Sequence, residues 1–190
     1  MRALYAYGVS ALWLAWCVYW LIAGRDVKPI ARKESAASRA SHVVPLVIAV
    51  ALLAVPTAPS GLLSTRILPA TRAVFFFGLG LVAAGLLFTV WARVHLGRNW
   101  SGIVTVKQDH ELVRSGPYGL VRHPIYSGLL LAIAGSAVVR GEWRGVLALV
   151  IAFVALWRKL RLEEAWMSET FGDQYADYRT RVAALIPFVL

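Results

Sequence analysis

Five apolar runs, separated by shorter polar segments, set the pattern of this chain. Ala3 to Ala23 is the first, and it is long enough to cross a bilayer core, which takes about 20 residues. A secretory leader would have a shorter apolar core and a small-residue cleavage site, so the run reads as a span. The second run is Val43 to Leu63, with Pro56 and Pro59 near its far end. Prolines are tolerated in membrane helices where neighbours satisfy the freed backbone groups. Ala73 to Leu96 is the third and clearest span. It has Phe75, Phe76 and Phe77 near its start, and Gly78, Gly80 and Gly85 permit a close helix neighbour. Pro124 to Val139 and Gly145 to Trp157 are shorter and are joined only by Arg140 to Arg144. That spacing predicts a tight helical hairpin, with a re-entrant hairpin as the competing arrangement. The tail, Arg158 to Leu190, starts polar and predicts an interfacial helix with an ordered end. The expected fold is all-α and integral to the membrane, a single membrane domain over 1–190 with five transmembrane helices, three of them within 1–96.

Composition agrees with the pattern. The chain is 59% hydrophobic and 16% charged, with mean hydropathy +0.64, outside the soluble globular range. The net charge of +10 therefore points to basic loops beside anionic lipid headgroups, not to nucleic-acid binding. Placing the basic residues decides the orientation. Segments 24–42, 93–123 and 158–190 each carry five Lys or Arg, and only Arg2, Arg66, Arg72, Arg140 and Arg144 remain for the other side. The excess predicts a cytoplasmic-membrane protein with its N-terminus outside and its C-terminus in the cytoplasm. Cys17 is the only cysteine, so no internal disulfide and no cysteine metal cluster is expected. It reads as a small buried hydrophobe.

Three polar clusters share the cytoplasmic side. The first is SGPYGLVRHPIYSG, Ser115 to Gly128. Pro124 suits the first turn of the following span, and Gly116 and Gly119 permit tight turns around Tyr118. His123 and Tyr126 then fall at a helix start, whose unpaired N–H groups suit a carboxylate or another polar ligand group. Interface anchoring would account for Arg122 or a tyrosine singly, but it does not require Gly-Pro-Tyr followed by Arg-His-Pro. The second cluster runs from Lys159 to Val182 and opens with Glu163 and Glu164. Lys159 and Glu163 stand four apart, the spacing of an ordinary helical ion pair. An antiparallel hairpin would bring them beside His123, giving a cytoplasmic pocket of carboxylates, His, Tyr and basic groups. The third cluster is LGRNWSG, Leu96 to Gly102. Trp100 there suits an interface anchor, while Arg98 and Asn99 suit hydrogen bonds to a substrate headgroup.

The ordered set His-Glu-Leu-Val, Gly-Pro-Tyr, Arg-His-Pro-x-Tyr and Glu-Glu, closing on FGDQYADYRTRV and LIPF, resembles the isoprenylcysteine carboxyl methyltransferase family. It is also similar to the related phospholipid N-methyltransferases. The likeness covers about residues 96–190; the first two spans match only in being hydrophobic. It implies that 97–190 is the catalytic half. It also implies that the 97–123 segment and the tail form a pocket for S-adenosyl-L-methionine, bound without a GxGxxG loop, which the chain lacks. The cofactor contacts it implies are His110, Glu111, Leu112, Val113, Tyr118, His123, Pro124, Ile125, Tyr126, and Glu163 or Glu164. It further implies a substrate-binding Arg just before the acidic pair. An ungapped match puts Lys159 there, a departure that leaves Arg161 or Arg158 as substitutes. The family's Gln ahead of His-x-Leu-Val has no secure counterpart, because Gln108 stands too close.

Such an enzyme would take a lipophilic small molecule or lipidated substrate from the bilayer, with no metal. A carboxylate acceptor is already ionised and needs only a cation, Lys159 or Arg161, to orient it, with Arg98, Asn99 and Trp100 as further substrate contacts. An amine acceptor, as in phosphatidylethanolamine N-methylation, needs a base, for which His123 is the candidate. A non-catalytic lipid-binding membrane protein is the alternative of another class. A transport path is disfavoured, because no line of ionisable residues runs through the spans.

Overall fold

The apolar runs fold as helices whose ends are set by capping side chains and by Pro and Gly. The computed structural model describes residues 2–25, 27–55, 61–107 and 111–189. The long helices are α1 (Arg2–Ala23), α2 (Ala36–Ala54), α3 (Arg72–Leu96), α4 (Pro124–Arg140) and α5 (Trp143–Phe171). A short α6 (Asp173–Arg181) follows, and a two-stranded antiparallel ribbon pairs β1 (Ile30–Lys33) with β2 (Thr105–Lys107). The second helix starts earlier than the apolar run predicts. Ser35 caps it, accepting the Ser38 N–H at 3.2 Å, and this capping outweighs the polar character of the first turns. It ends at Ala54; Pro56 and Pro59 lie outside the described residues. Thr71 caps α3 in the same way, accepting from Val74 at 3.3 Å.

The α4–α5 hairpin forms as predicted and is tighter still. Gly141 takes φ +65° and closes α4, leaving Gly141 and Glu142 between the two helices. α5 is not confined to its apolar run. Its 29 residues span about 43 Å at 1.5 Å per residue, well past a ~30 Å hydrocarbon core. The expected separate interfacial helix is therefore partly a straight extension of α5 beyond Trp157, carrying Lys159 to Glu164 along with it.

Glycine builds the seam between α3 and α4. A side chain at Gly85 would meet Gly128 O at 2.5 Å and Ala132 N at 2.6 Å, and one at Gly135 would meet Gly78 O at 2.6 Å. Gly78 and Gly85 are seven apart and share a face. Gly80, expected to join them, stands about 200° round the helix from Gly78 and has nothing near it. α1 lies across this pair, with the Trp13 indole N–H donating to Ser136 Oγ (3.1 Å) and that of Trp16 to Thr89 Oγ1 (2.6 Å). Ala49 of α2 packs on Ala148 and Ala152 of α5.

Outward-facing positions are apolar. Leu14, Leu21, Val47, Val50, Leu87, Val94, Val150 and Val154 are each more than half exposed, a belt that hydrocarbon accepts and water does not. Cys17, expected buried, is exposed in this belt, as a small hydrophobe facing lipid can be. Ala36–Ala54 and Arg72–Asn99 are long and apolar enough to cross a membrane, while Tyr7–Ala23 and Pro124–Arg140 are shorter apolar helices. At one end of the bundle Arg66, Arg140, Arg144 and Glu142 interlock, with Arg144 Nε donating to Glu142 at 2.6 Å. The polar clusters of interest meet at the opposite end.

Candidate active site

Gly116, at φ +58°, turns the chain into a 3-10 turn over Gly116–Gly119 that buries Pro117 and Tyr118. The Tyr178 hydroxyl donates to Tyr118 O at 2.5 Å and ties α6 to that turn. The chain then enters α4 with His123 at the N-cap and Pro124 at the first position. Arg122 and His123 donate their backbone N–H groups to Ala183 O (2.8 Å) and Ala184 O (3.0 Å), so the tail lies alongside the helix entry.

His123 sits between the acidic pair: Nδ1 is 3.6 Å from Glu163 Oε2, and Nε2 is 3.4 Å from Glu164 Oε1. Its ring stacks on Tyr126 at 5.4 Å between centroids, and the Tyr126 hydroxyl donates to Glu163 Oε1 at 2.5 Å. Neighbouring glutamates diverge by about 100° on a helix. Glu163 therefore takes Tyr126 and His123, while Glu164 takes Arg122 Nη2 at 2.6 Å and lies 3.7 Å from Arg179 Nε. Lys159, 9% exposed, donates to Gly102 O at 3.2 Å, lies 4.0 Å from Glu163, and rides over the Tyr126 ring.

These neighbours control ionisation. Burial opposes the charge on His123, but hydrogen bonds and attraction from Glu163 and Glu164 outweigh it and raise its pKa above the ordinary 6.5. Burial likewise opposes the charge on both glutamates. His123, Lys159 and Tyr126 overcome this for Glu163, which is lowered, and His123 with Arg122 holds Glu164 at about 2. The arrangement is an imidazole whose protonated form is favoured, set between two carboxylates whose ionised forms are favoured.

A cavity of about 290 Å3 opens beside this cluster, at the small end of the ~300–1,000 Å3 range of ligand sites. Of the residues expected from sequence, Asn99, Trp100, Glu111, Leu112, Val113, Tyr118, His123, Pro124, Ile125, Tyr126, Lys159 and Glu163 line it. Arg161 and Glu164 line a different cavity, on the other side of α5. Arg98 is outside the lining, and its carbonyl accepts the Lys28 N–H at 2.8 Å. His110 lies outside the described residues. Sequence reasoning missed the apolar lining residues Trp16, Trp20, Leu46, Leu129 and Leu156, and Thr105, Met167, Tyr175 and Tyr178. Met167 was within reach of it, because it follows Glu163 by four. It also missed Glu34, buried against His42 at 3.4 Å and accepting the Val104 N–H at 3.2 Å, which pins the 97–107 segment over the site.

The cavity suits a ligand with a polar, partly cationic head. Asn99 Oδ1 and Thr105 Oγ1 are buried without a protein partner and line it together. Carboxylate and aromatic faces stand beside them, a setting that favours a sulfonium and an ammonium. Among the described residues no group of three His, Cys, Asp or Glu is placed to hold a metal.

Residues 73–174 match the family described as phospholipid methyltransferase. The chain is 32% identical over 119 residues to protein-S-isoprenylcysteine O-methyltransferase B of Arabidopsis thaliana, covering 60% of this chain and 59% of that protein. It is 35% identical over 117 residues to protein-S-isoprenylcysteine O-methyltransferase of Schizosaccharomyces pombe, covering 58% and 48%. It thus spans about half to three fifths of the length of these curated relatives. Its fold is similar to the solved structure of the eukaryotic intramembrane Ras methyltransferase ICMT (isoprenylcysteine carboxyl methyltransferase). The TM-score is 0.59 at 23% identity, over 80% of this chain and 52% of that one.

Proposed function

Because the chain belongs to the phospholipid methyltransferase family, we propose that it is a membrane methyltransferase using S-adenosyl-L-methionine, and that it methylates the carboxylate of an isoprenylcysteine-like or other lipophilic acceptor. The observation that carries this reading is one cavity with two characters. Its lining combines Lys159, His123, Glu163 and the orphaned oxygens of Asn99 and Thr105 with the apolar side chains of Trp16, Trp20, Leu46, Leu129 and Leu156. That is the shape of a site for an acid on a lipid tail, entering between α1, α2 and the final hairpin. The active site then faces the cytoplasm, where a soluble donor is available, and the five long helices cross the membrane.

When bound, S-adenosyl-L-methionine supplies a methyl group on a cationic, good leaving group. What remains for the protein is mainly to bring the reactants into line. Glu111, Leu112, Val113, Tyr118 and Tyr126 would hold the donor, with Glu163 as the carboxylate that attracts its cationic groups. Lys159 is a buried cation within the cavity, not bound to Glu164 as Arg122 is, and would orient the acceptor carboxylate. His123 holds Glu163 and Glu164 in place and keeps their side chains aimed apart.

Acceptor chemistry follows from the same charges. A carboxylate needs no base, and an amine does. Two glutamates raise the pKa of His123, so less of it is in the free-base form, and Glu163, held below the usual carboxylate range, is a weaker base. This favours O-methylation over phosphatidylethanolamine N-methylation.

The test is calorimetry on the detergent-purified protein with S-adenosyl-L-methionine, followed by incubation of membranes with the methyl-labelled donor. Binding and base-labile methyl esters in the lipid fraction are expected. A folded sample that binds no donor would end the proposal, and label stable to base would convert it to N-methylation.

A further inference from the structure

A second cavity, of about 470 Å3, lies on the face of α5 away from Lys159 and Glu163. Among the described residues its walls hold four arginines, Arg122, Arg161, Arg179 and Arg181, against one side-chain carboxylate, Glu164. That carboxylate is already engaged by Arg122 at 2.6 Å, with Arg179 at 3.7 Å. Arg181 reaches Asp177 at 2.7 Å while staying largely exposed. Arg161 is exposed and has no ion-pair or hydrogen-bond partner among the described residues. Cations converging on one cleft repel each other, and an anion between them relieves this.

The remaining wall is apolar and open. Leu120 is half exposed, Val189 mostly so, and Phe188 fully. Phe188 also has φ +65°, the one positive φ on a non-glycine residue among the described residues, a conformation that costs an aromatic residue energy. The segment is nonetheless fixed at its base, through Arg122 and His123 to Ala183 and Ala184, and by the Ser127 hydroxyl donating to Leu185 O at 2.6 Å. Those anchors are at the first turn of α4, which the expected span sets at the bilayer surface. Arginines beside an apolar step match the phosphate and first methylenes of a phospholipid; a free anion would leave the apolar step uncovered.

We infer that this cleft is a second, non-reacting lipid site, holding the phosphate of an anionic phospholipid among Arg161, Arg179 and Arg181, with Phe188 and Val189 against its acyl region. The inference rests on membrane placement and not on the methyl-transfer reading.

Native mass spectrometry of the full chain tests it, in detergent with equimolar phosphatidylglycerol and phosphatidylcholine. Preferential retention of phosphatidylglycerol is expected. Arg161→Gln changes an exposed, unpartnered side chain and leaves the fold intact. It should lower that retention about fivefold, and Arg161→Gln with Arg179→Gln about 25-fold, with phosphatidylcholine unaffected. Phe188→Ser should lower retention of phosphatidylglycerol as well. Equal retention of both lipids by the wild type, or unchanged retention in Arg161→Gln, overturns the site. Displacement of the lipid by an equal concentration of inorganic phosphate would overturn it too, by assigning the cleft to a free anion. Donor binding measured on the same samples reports on the first cavity alone.

Discussion

Lys159 and His123 show how single side chains divide the work. Lys159 is a buried cation of the cavity and, unlike Arg122, is not bound to Glu164, so its removal is expected to act on the acceptor and not on the donor. Lys159→Met should lower kcat/KM for the lipid acceptor about a hundredfold, as loss of one charge-stabilising group in a dry site does. Lys159→Arg should restore most of it, and donor affinity by calorimetry should not change in either. A matching loss of donor affinity would reassign Lys159 to the cofactor. His123 predicts a pH profile. Its folded pKa is raised, so its stabilisation is complete below the ordinary 6.5 and fades as pH rises through the higher folded value. Glu164 is held at about 2, so its stabilisation is complete above the ordinary 4.5 and fades as pH falls towards 2. Thermal stability in detergent should therefore plateau between these limits and decline on both sides. His123→Gln should remove the alkaline decline while Arg122 preserves part of the acid one. An alkaline limb identical in wild type and variant would mean that His123 is not the group titrating.

At the scale of elements, the α3–α4 seam holds the site in register, because α4 carries His123 and Tyr126 at its mouth. Gly85→Leu would drive a side chain into Gly128 O and the Ala132 backbone, which cannot yield as a flexible side chain can. A loss of about 3 kcal/mol or more is expected, at the upper end of overpacking penalties, read as a drop in melting temperature in detergent. Gly80→Leu, on the open face, should cost little. That contrast also shows what the sequence made legible. The hairpin, the Gly-rich packing and the approach of Glu163 to His123 follow from spacing and direction alone. The two faces of α5 were equally legible in principle, because Lys159, Glu163 and Met167 repeat every four residues while Arg161 and Glu164 fall out of step. The start of α2 was hidden, since one capping serine decides it. Part of the apolar lining of the cavity was hidden too, because Trp16, Trp20 and Leu46 belong to helices with no chemical motif and join His123 around the cavity only through tertiary packing. Glu34 is the same case, a loop carboxylate that matters because Val104 lies beside it.

For the molecule as a whole, the fold sorts its charges before any membrane is considered. The α1–α2 loop, the 97–123 segment and the end of α5 converge at one pole, and Arg66, Arg140 and Arg144 meet Glu142 at the other. With the basic excess at the first pole, the positive-inside rule predicts a cytoplasmic placement for that pole and for the residues lining both cavities. Cysteine labelling in a Cys17→Ser background checks it. Leu62, in the loop between α2 and α3, and Gln174, on α6, are both exposed. Leu62→Cys should react with a membrane-impermeant maleimide on intact cells, whereas Gln174→Cys should react only after the membrane is opened. The reverse pattern would put the donor site on the side of the membrane without donor and so remove the proposed activity. Reaction of both from outside would mean an even number of crossings between them; because His123 meets Glu163, the α4–α5 hairpin supplies two crossings or none, so α3 would be the helix that fails to span.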